Sequence, residues 1–335
     1  MLVATCVFAG CNYKTDVSLE FPTPPSDPLA TPAPKLELKP DAELEKQIAK
    51  IAEEAKGKVG VAVVVLETGD AAMLNADQHF PMQSVYKLPI AMAVMDQVRQ
   101  GKLELDEKVG VTKEDMVREG QRSPLRDANP NGGEFTIREL IRLALVESDG
   151  TASDVLIRVA GGANEIQSYL GQIGITDMKV VNTEKEIGGD WQTQYENWST
   201  PKASVDLLRW LWVGHRAEVS ERPDPKDISK NCLNGYNLIF CNMASSTTGP
   251  NRLKRIASGF RLRDWPPLIA DKTGTSGTRG KITAATNDIG LVSTHGATNI
   301  AIAVFVSKSP ADEKTREAVI AKIAKAVWDR WNKRD

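Results

Sequence analysis

A serine and a lysine, Ser84 and Lys87, lie three positions apart at the start of an apolar segment that Gly101 ends. The spacing of the apolar residues predicts a helix over residues 84–100. Residues i and i+3 share a helix face, so the Lys87 amine lies within hydrogen-bond reach of the Ser84 hydroxyl. A serine becomes a nucleophile when a neighbouring base takes its proton, and N–H groups at a helix start can hold an oxyanion. The tetrapeptide alone still favours an ordinary surface lysine, so the rest of the chain decides.

Three further polar segments follow at the ends of predicted elements or in a long loop. They are Ser148-Asp149-Gly150, Glu184, and Lys272-Thr273-Gly274-Thr275. Each has an ordinary explanation by itself, as a helix end, a solvated loop carboxylate and a hairpin turn. Glu186 and Glu196 share the loop with Glu184, so the loop position does not single out one carboxylate.

Composition and charge exclude several classes of function. With 335 residues, 41% of them hydrophobic and 26% charged, the chain can bury a sizeable core without disulfides. Its 42 basic and 44 acidic residues give a net charge of -2, which excludes a typical nucleic-acid-binding surface. The three histidines are widely separated and no Cys-x-x-Cys is present, so we predict no metal and no cofactor.

The amino-terminal residues form a short apolar run that ends Ala9-Gly10-Cys11. The run is similar to the end of a bacterial lipoprotein signal and predicts export to the periplasm. The run is short and has no Lys or Arg before it, and both features depart from the usual signal pattern. The lipid anchor predicted at Cys11 rests on the Ala-Gly-Cys ending. Two other cysteines, Cys232 and Cys241, lie in one segment, and their spacing leaves open whether they pair or remain separate thiols.

The order of predicted elements indicates one antiparallel sheet, covered by both terminal helices, with a helical lobe inserted between its second and third strands. The predicted strands cover residues 59–67, 71–75, 268–272, 288–294 and 299–307, with a hairpin at 295–296 and a last helix at 313–331. The predicted regions are a signal and proline-rich linker (1–40), an α/β lobe (41–82 and 246–335) and an all-helical lobe (83–245) that includes the loop 182–200. Thr136 and Glu139 have the spacing of a capping box, which predicts the start of a helix in the inserted lobe. Residues 214–231 are predicted to be an exposed insertion.

In this order, S-x-x-K, S-D-N and K-T-G are the signature of class A β-lactamases and penicillin-binding proteins. From Glu43 onward the chain resembles that superfamily, above all its PER-type branch. The segments that carry the resemblance to this branch are 79–87, 194–198, 247–250 with Arg252, and 271–277 with 286–288. The resemblance implies a β-lactamase/transpeptidase-like α+β fold with a five-stranded antiparallel sheet. It also implies a monomeric serine β-lactamase that hydrolyses penicillins and cephalosporins and so confers antibiotic resistance.

The resemblance also implies roles for single residues. Ser84 would be the nucleophile, Ser148 would pass a proton to the leaving nitrogen, and the N–H groups of Ser84 and Thr275 would hold the oxyanion. Whether Lys87 or Glu184, acting through a water, takes the serine proton stays open. The predicted catalytic residues are Ser84, Lys87, Ser148, Glu184 and Lys272; the predicted substrate-binding residues are Gly150, Arg252, Thr273, Gly274 and Thr275. For Arg252, a surface arginine on a short helix is an equally good interpretation.

The chain departs from the family pattern around the predicted water site. Gly150 replaces the asparagine of S-D-N, and Gly188 stands where an asparagine would help to hold the water. An arginine-aspartate bridge across the loop also looks absent, with Asn197 at its far end. The departures allow weak hydrolysis or an altered substrate range. Two alternatives therefore stay open. One is a DD-peptidase-like protein that acylates but deacylates slowly, and Glu184 argues against it. The other is a non-catalytic envelope-binding module, and the intact catalytic set argues against it.

Overall fold

The computed structural model describes residues 36–219, 232–258, 267–293 and 298–332. We number the α-helices and strands in chain order. The helices are α1 Ala42–Ala52, α2 Lys87–Arg99, α3 Pro124–Ala128, α4 Ile137–Val146, α5 Gly150–Val159, α6 Ala163–Gln172, α7 Glu184–Ile187, α8 Pro201–Val219, α9 Gly235–Ala244 and α10 Glu313–Trp331. The predicted last helix therefore has the predicted bounds, and Thr136 and Glu139 form the predicted capping box at the start of α4.

The main sheet contains five long strands and two strands of two residues each. The long strands are β2 Lys58–Val65, β3 Asp70–Leu74, β9 Leu268–Thr275, β11 Ile282–Ser293 and β12 Asn299–Ser309. They pair antiparallel in the order β3-β2-β12-β11-β9. The short strands β1 Lys39–Pro40 and β10 Thr278–Arg279 pair with β3 and β11, β1 in parallel. The structure thus has the five predicted strands, and it adds a strand inside the range predicted as linker.

Smaller sheets lie outside the main one. They are formed by β4 Phe80–Pro81, β7 Met178–Lys179 and β8 Trp198–Ser199, and by β5 Lys108–Val111 with β6 Gly133–Thr136. The first of these sheets places the segment before Ser84 beside both ends of the loop 182–200, because β4 pairs with β8 and β8 with β7.

Both faces of the main sheet are covered, which explains why residues 59–65 of β2 form an unbroken apolar run. In β2, Ala62 and Val64 face the core shared with the helical lobe, whereas Val61, Val63 and Val65 face the core shared with α1 and α10. Alternate residues of a strand point to opposite faces, so a strand buried on both faces, as β2 is, reads as a continuous apolar run.

The start of the first lobe helix differs from the prediction of a single helix over residues 84–100. Residues Gln83–Tyr86 form a 3₁₀ turn, and the α-helix begins at Lys87. Side chains at i and i+3 eclipse each other in a 3₁₀ helix, so this geometry brings Ser84 and Lys87 closer than an α-helix would. The predicted contact within the S-x-x-K segment therefore survives the change of helix type.

The prediction of an exposed insertion over residues 214–231 is wrong at its amino-terminal end, because α8 continues to Val219. Gly214 is buried, and a Cβ at this position would lie 2.2 Å from the Tyr236 ring. The glycine therefore allows α8 and α9 to pack closely. The prediction missed this helix end because the residues that follow Gly214 are charged and include prolines. Residues 220–231, the hairpin at 295–296 and Cys11 lie outside the described residues.

Cys232 and Cys241 form a disulfide in the structure, with an S–S distance of 2.00 Å. Of the two alternatives that the spacing left open, the structure has the pair. Among the residues that the structure describes, no helix is both long and apolar enough to cross a membrane.

Candidate active site

Lys87 lies between the predicted nucleophile and the predicted base. Its Nζ donates to Ser84 Oγ and to Glu184 Oε2, each at 2.8 Å. The lysine side chain is 1% exposed, so bulk water does not compete for these two bonds. The arrangement joins a hydroxyl, an amine and a carboxylate into one chain of hydrogen bonds along which a proton can pass.

Glu184 is the carboxylate of the loop 182–200 that faces Ser84. Burial raises the pKa of Glu184, but the charge of Lys87 and hydrogen bonds from Lys87 and Tyr86 outweigh burial, so the pKa lies below its ordinary value. The Tyr86 hydroxyl donates to Glu184 Oε2 at 3.1 Å, and burial raises the pKa of Tyr86 so that it remains a donor. Glu186 instead accepts from Thr183 at the start of α7. Glu184 is therefore held ionised beside the serine.

Ser148 and Lys272 form the second pair of the site. Lys272 Nζ donates to Ser148 Oγ at 2.9 Å and to the Thr273 carbonyl at 3.2 Å. Burial and the charge of Lys87 lower the pKa of Lys272 well below its ordinary value. Ser148 has a φ of 58°, a left-handed conformation that is costly for a residue with a side chain. Ser148 adopts this strained backbone conformation while its hydroxyl accepts from Lys272. Strained backbone of this kind is typical of functional sites.

Strand β9 lies against the segment that precedes Ser84. A Cβ at Gly274 would lie 2.3 Å from the Met82 carbonyl, so only glycine permits this approach. Asn287 Nδ2 donates to the carbonyls of Pro81 and Met82 at 2.8 and 3.1 Å and fixes the segment on β11. Ser276 N donates to Ala285, so alternation along the strand turns the Thr275 N–H away from β11. The Thr275 N–H therefore points outward from the edge of β9 that lies nearest to Ser84.

Arg252 is buried rather than on the surface. Its guanidinium donates to Glu317 Oε1 at 3.0 Å, to the Asn287 carbonyl at 3.0 Å and to Thr275 Oγ1 at 2.8 Å. The interpretation of Arg252 as a surface arginine is therefore wrong. Sequence reasoning missed Glu317, which lies on α10 and neutralises the guanidinium while leaving it against the β9 edge.

The position of Gly150 explains why it has no side chain. A Cβ there would lie 2.8 Å from Glu184 Cγ and 3.1 Å from a methyl group of Val117. The space that an asparagine would occupy is therefore filled by the Glu184 side chain itself. Asp149, the residue before it, keeps a structural role, because its carboxylate accepts from the Ala152 and Leu125 N–H groups at 2.9 and 2.6 Å.

Sequence reasoning also missed Asp154, which holds the backbone of α7. Its carboxylate accepts from the N–H groups of Glu184 and Lys185 at 2.6 and 2.9 Å. Burial raises the pKa of Asp154 to about 7, although these two bonds oppose the rise. A signal was present, since Asp154 is four residues after Gly150 and so shares its helix face.

Asn197 closes the loop 182–200 in place of an ion pair. Its side chain accepts from the N–H groups of Val181 and Asn182 at 2.8 and 2.9 Å and donates to the Asn182 carbonyl at 2.8 Å. The base of the loop is thus held by three hydrogen bonds of one amide side chain.

These groups border or lie just behind one open cleft of about 1780 Å³. Of the predicted residues, Ser84, Ser148, Glu184, Arg252, Thr273 and Thr275 line the cleft. Lys87, Lys272, Gly150 and Gly274 are buried against them. The structure therefore brings all ten predicted site residues together around the Ser84 hydroxyl, with a lysine amine, a carboxylate and backbone N–H groups nearby. This arrangement is suited to acyl transfer.

Comparison with known proteins agrees with this geometry. The profile of the "Beta-lactamase enzyme family" matches residues 43–230 and 241–331. The chain belongs to this β-lactamase enzyme family. It is 33% identical over 283 residues to "Beta-lactamase VEB-1" of Pseudomonas aeruginosa, covering 84% of this chain and 88% of the relative. It is 33% identical over 287 residues to "Extended-spectrum beta-lactamase PER-1" of the same organism, covering 85% and 86%.

Solved β-lactamase structures have the same fold. A β-lactamase from Chitinophaga pinensis matches with a TM-score of 0.75 and 35% identity over 86% of this chain and 99% of that protein. The TLA-3 extended-spectrum β-lactamase matches with a TM-score of 0.75 and 35% identity over 87% and 99%. The predicted resemblance to PER-type class A β-lactamases, the fold class and the enzyme class, a β-lactam hydrolase, are confirmed.

Proposed function

We propose that this β-lactamase opens the lactam ring of penicillins and cephalosporins in two steps, through an ester on Ser84. The observation that carries the proposal is the position of Lys87 Nζ, 2.8 Å from both Ser84 Oγ and Glu184 Oε2. A base for each step is therefore within one or two hydrogen bonds of the reacting hydroxyl.

In the first step Ser84 Oγ attacks the lactam carbonyl carbon. Its proton leaves through a water to Glu184, or to Lys87 after Lys87 has passed a proton of its own to Glu184. The N–H groups of Ser84 and Thr275 hold the negative charge on the carbonyl oxygen. The C–N bond then breaks and Ser148 Oγ gives its proton to the nitrogen. The proton taken from Ser84 passes on to Ser148 Oγ, which leaves Glu184 ionised for the second step. Lys272 Nζ, which is 2.9 Å from Ser148 Oγ, orients this hydroxyl.

Thr273, Thr275 and Arg252 hold the substrate carboxylate beside the leaving nitrogen. Support comes from the Thr275 hydroxyl, which accepts from the Arg252 guanidinium at 2.8 Å and so lies in the field of a buried cation. A guanidinium suits a planar carboxylate because it can donate two parallel bonds.

In the second step Glu184 takes a proton from a water and the hydroxide attacks the ester carbonyl. The bond to Ser84 Oγ then breaks as Oγ regains a proton from Glu184 through Lys87. This step separates the proposal from a DD-peptidase-like protein, which forms the same ester but lacks a base that activates water. Glu184, ionised and hydrogen-bonded to Lys87, favours the hydrolase.

Time-resolved intact mass of the purified protein with excess cephalosporin, read beside the loss of lactam absorbance, tests the proposal. We expect rapid loss of absorbance with little standing adduct. A persistent adduct with slow loss of absorbance would replace the hydrolase with the DD-peptidase-like alternative. No adduct together with no loss of absorbance would overturn both.

Replacing Gly150 by asparagine should slow hydrolysis rather than restore a family feature. The new Cβ would lie 2.8 Å from Glu184 Cγ and would push the carboxylate away from Lys87. A displacement near 1 Å of a catalytic group costs about 10²-fold in rate, and we expect a loss of this order in deacylation, measured as adduct lifetime by intact mass. The matched control is Gly171→Asn on α6, where the added side chain meets open space. Unchanged turnover of Gly150→Asn would contradict the close packing of Gly150 against Glu184.

Export to the periplasm, a lipid anchor at Cys11 and a monomeric state remain part of the proposal. The Ala9-Gly10-Cys11 ending of the apolar run supports the first two. Fractionation of cells that express the chain, with the mass of the amino-terminal peptide, tests them. Recovery from the cytoplasm with an unmodified Cys11 would contradict both.

A further inference from the structure

The backbone of Glu184 is held at both ends by side chains from other parts of the chain. Its N–H donates to Asp154 Oδ1 at 2.6 Å, and its carbonyl accepts from Gln121 Nε2. The other end of the Gln121 carboxamide accepts from the Arg118 N–H at 3.0 Å. The Gln121 side chain is thus fixed at both of its polar atoms and connects the segment before α3 to the residue that carries the proposed base.

Gly188 lies directly against this carboxamide. A Cβ at Gly188 would lie 2.4 to 2.5 Å from Gln121 Cδ, Nε2 and Oε1. The φ of Gly188 is -72°, which any residue can adopt, so the backbone conformation does not require glycine here. The reason for glycine at this position is space, and Gln121 fills it.

A second link joins the same two segments. Arg118 Nε donates to the Lys185 carbonyl at 3.1 Å, and Lys185 Nζ donates to the Glu114 carbonyl at 2.6 Å. Residues 114–121 therefore hold α7 by three hydrogen bonds. Only the bond from Gln121 reaches the residue whose side chain faces Ser84.

We propose that Gln121 is a positioning residue for Glu184, and that Gly188 provides the space that the Gln121 carboxamide requires. The inference rests on the proposed function, because it makes Gln121 act on deacylation through Glu184. In this arrangement a side chain from residue 121 stands where a side chain from residue 188 would otherwise reach. Gly188 and Gln121 are then complementary in volume, and the missing side chain at 188 does not by itself impair the water site.

The first test replaces Gln121 by methionine, which keeps the length of the side chain but cannot donate to Glu184. We expect the deacylation rate to fall about 10-fold, the scale of one hydrogen bond in a part-buried site, with acylation changed less than about twofold. Intact mass after a single addition of cephalosporin gives both rates. Gln167→Met is the matched control, because Gln167 also bonds two backbone groups, Val180 N and Met178 O, away from the cleft.

The second test measures coupling between positions 121 and 188 in a double-mutant cycle. Gly188→Asn should lower the thermal midpoint and the deacylation rate in the wild-type background, because its Cβ would overlap Gln121. In a Gln121→Gly background the same change should cost much less in both measurements. Gly171→Asn should be neutral in either background.

Several results would overturn the inference. They are an adduct lifetime unchanged in Gln121→Met, equal losses in acylation and deacylation, or additive effects of the changes at 121 and 188. Failure of the proposed function has a different signature. The wild type would then lose lactam absorbance slowly or not at all, with a persistent adduct or with none, while the thermal midpoints still report the 121–188 contact.

Discussion

Glu184→Gln should leave the protein able to form the Ser84 ester but almost unable to release it. The amide keeps the size of the side chain and can still accept from Tyr86, but it cannot take a proton from water. Loss of a general base costs about 10²- to 10⁴-fold, and we expect a decrease in this range for deacylation. Intact mass should show one standing adduct per chain soon after the addition of excess cephalosporin.

The control for this variant comes from the same loop. Glu196 is exposed, and its carboxylate accepts from Asn182 Nδ2 at 2.9 Å, away from Ser84. Glu196→Gln should therefore turn over at close to the wild-type rate. Wild-type turnover by Glu184→Gln would rule out Glu184 as the deacylating base and reopen the choice among the loop carboxylates.

Lys87→Met should impair both steps. Lys87 is 1% exposed and bonds Ser84 and Glu184 at 2.8 Å, so its loss removes a proton carrier from acylation and the main countercharge from the deacylating carboxylate. We expect acylation to fall by about 10²- to 10⁴-fold, the range for loss of a positioned acid or base. Stopped-flow loss of lactam absorbance measures this step. Lys108→Met, at an exposed lysine paired with Glu134, is the control.

The Lys87→Met change should also shift the pH dependence of deacylation, in a direction set by the charges around Glu184. In the wild type, burial raises the pKa of Glu184, and the charge and hydrogen bond of Lys87 more than reverse this rise. Without Lys87, burial is opposed mainly by Tyr86 and Lys272, so the pKa of Glu184 should rise. The acid limb of the deacylation profile should therefore move to higher pH. An acid limb at the wild-type position would show that Lys87 does not set the ionisation of Glu184.

The same interaction affects stability. Because the folded-state pKa of Glu184 is lowered, its contribution to stability is present above the unfolded-state pKa and is lost as pH falls through the folded-state value. Lys87→Met should therefore have a thermal midpoint that falls less on acidification than that of the wild type.

The sequence alone determined the features that depend on neighbouring residues and on strand and helix periodicity. The i to i+3 spacing predicted the contact of Ser84 with Lys87, and the capping box of Thr136 and Glu139 predicted the start of a helix. The unbroken apolar run of β2 predicted a strand, and the order of elements predicted the sheet with its helical insert. Such features follow from backbone geometry that is repeated over a few residues, so a local pattern is sufficient to specify them.

Tertiary structure decided which distant groups meet. The resemblance named Glu184, but only the fold places its carboxylate against Lys87, 97 positions away. Ser148 likewise meets Lys272 across 124 positions. The burial of Arg252 depends likewise on Glu317 of α10, 65 positions later. Gly150 and Gly188 stand where the family pattern has side chains. In this structure Glu184 fills the space beside Gly150, and Gln121 fills the space beside Gly188. No local pattern encodes these contacts, because whether a side chain fits depends on the volume that remote segments leave when they pack.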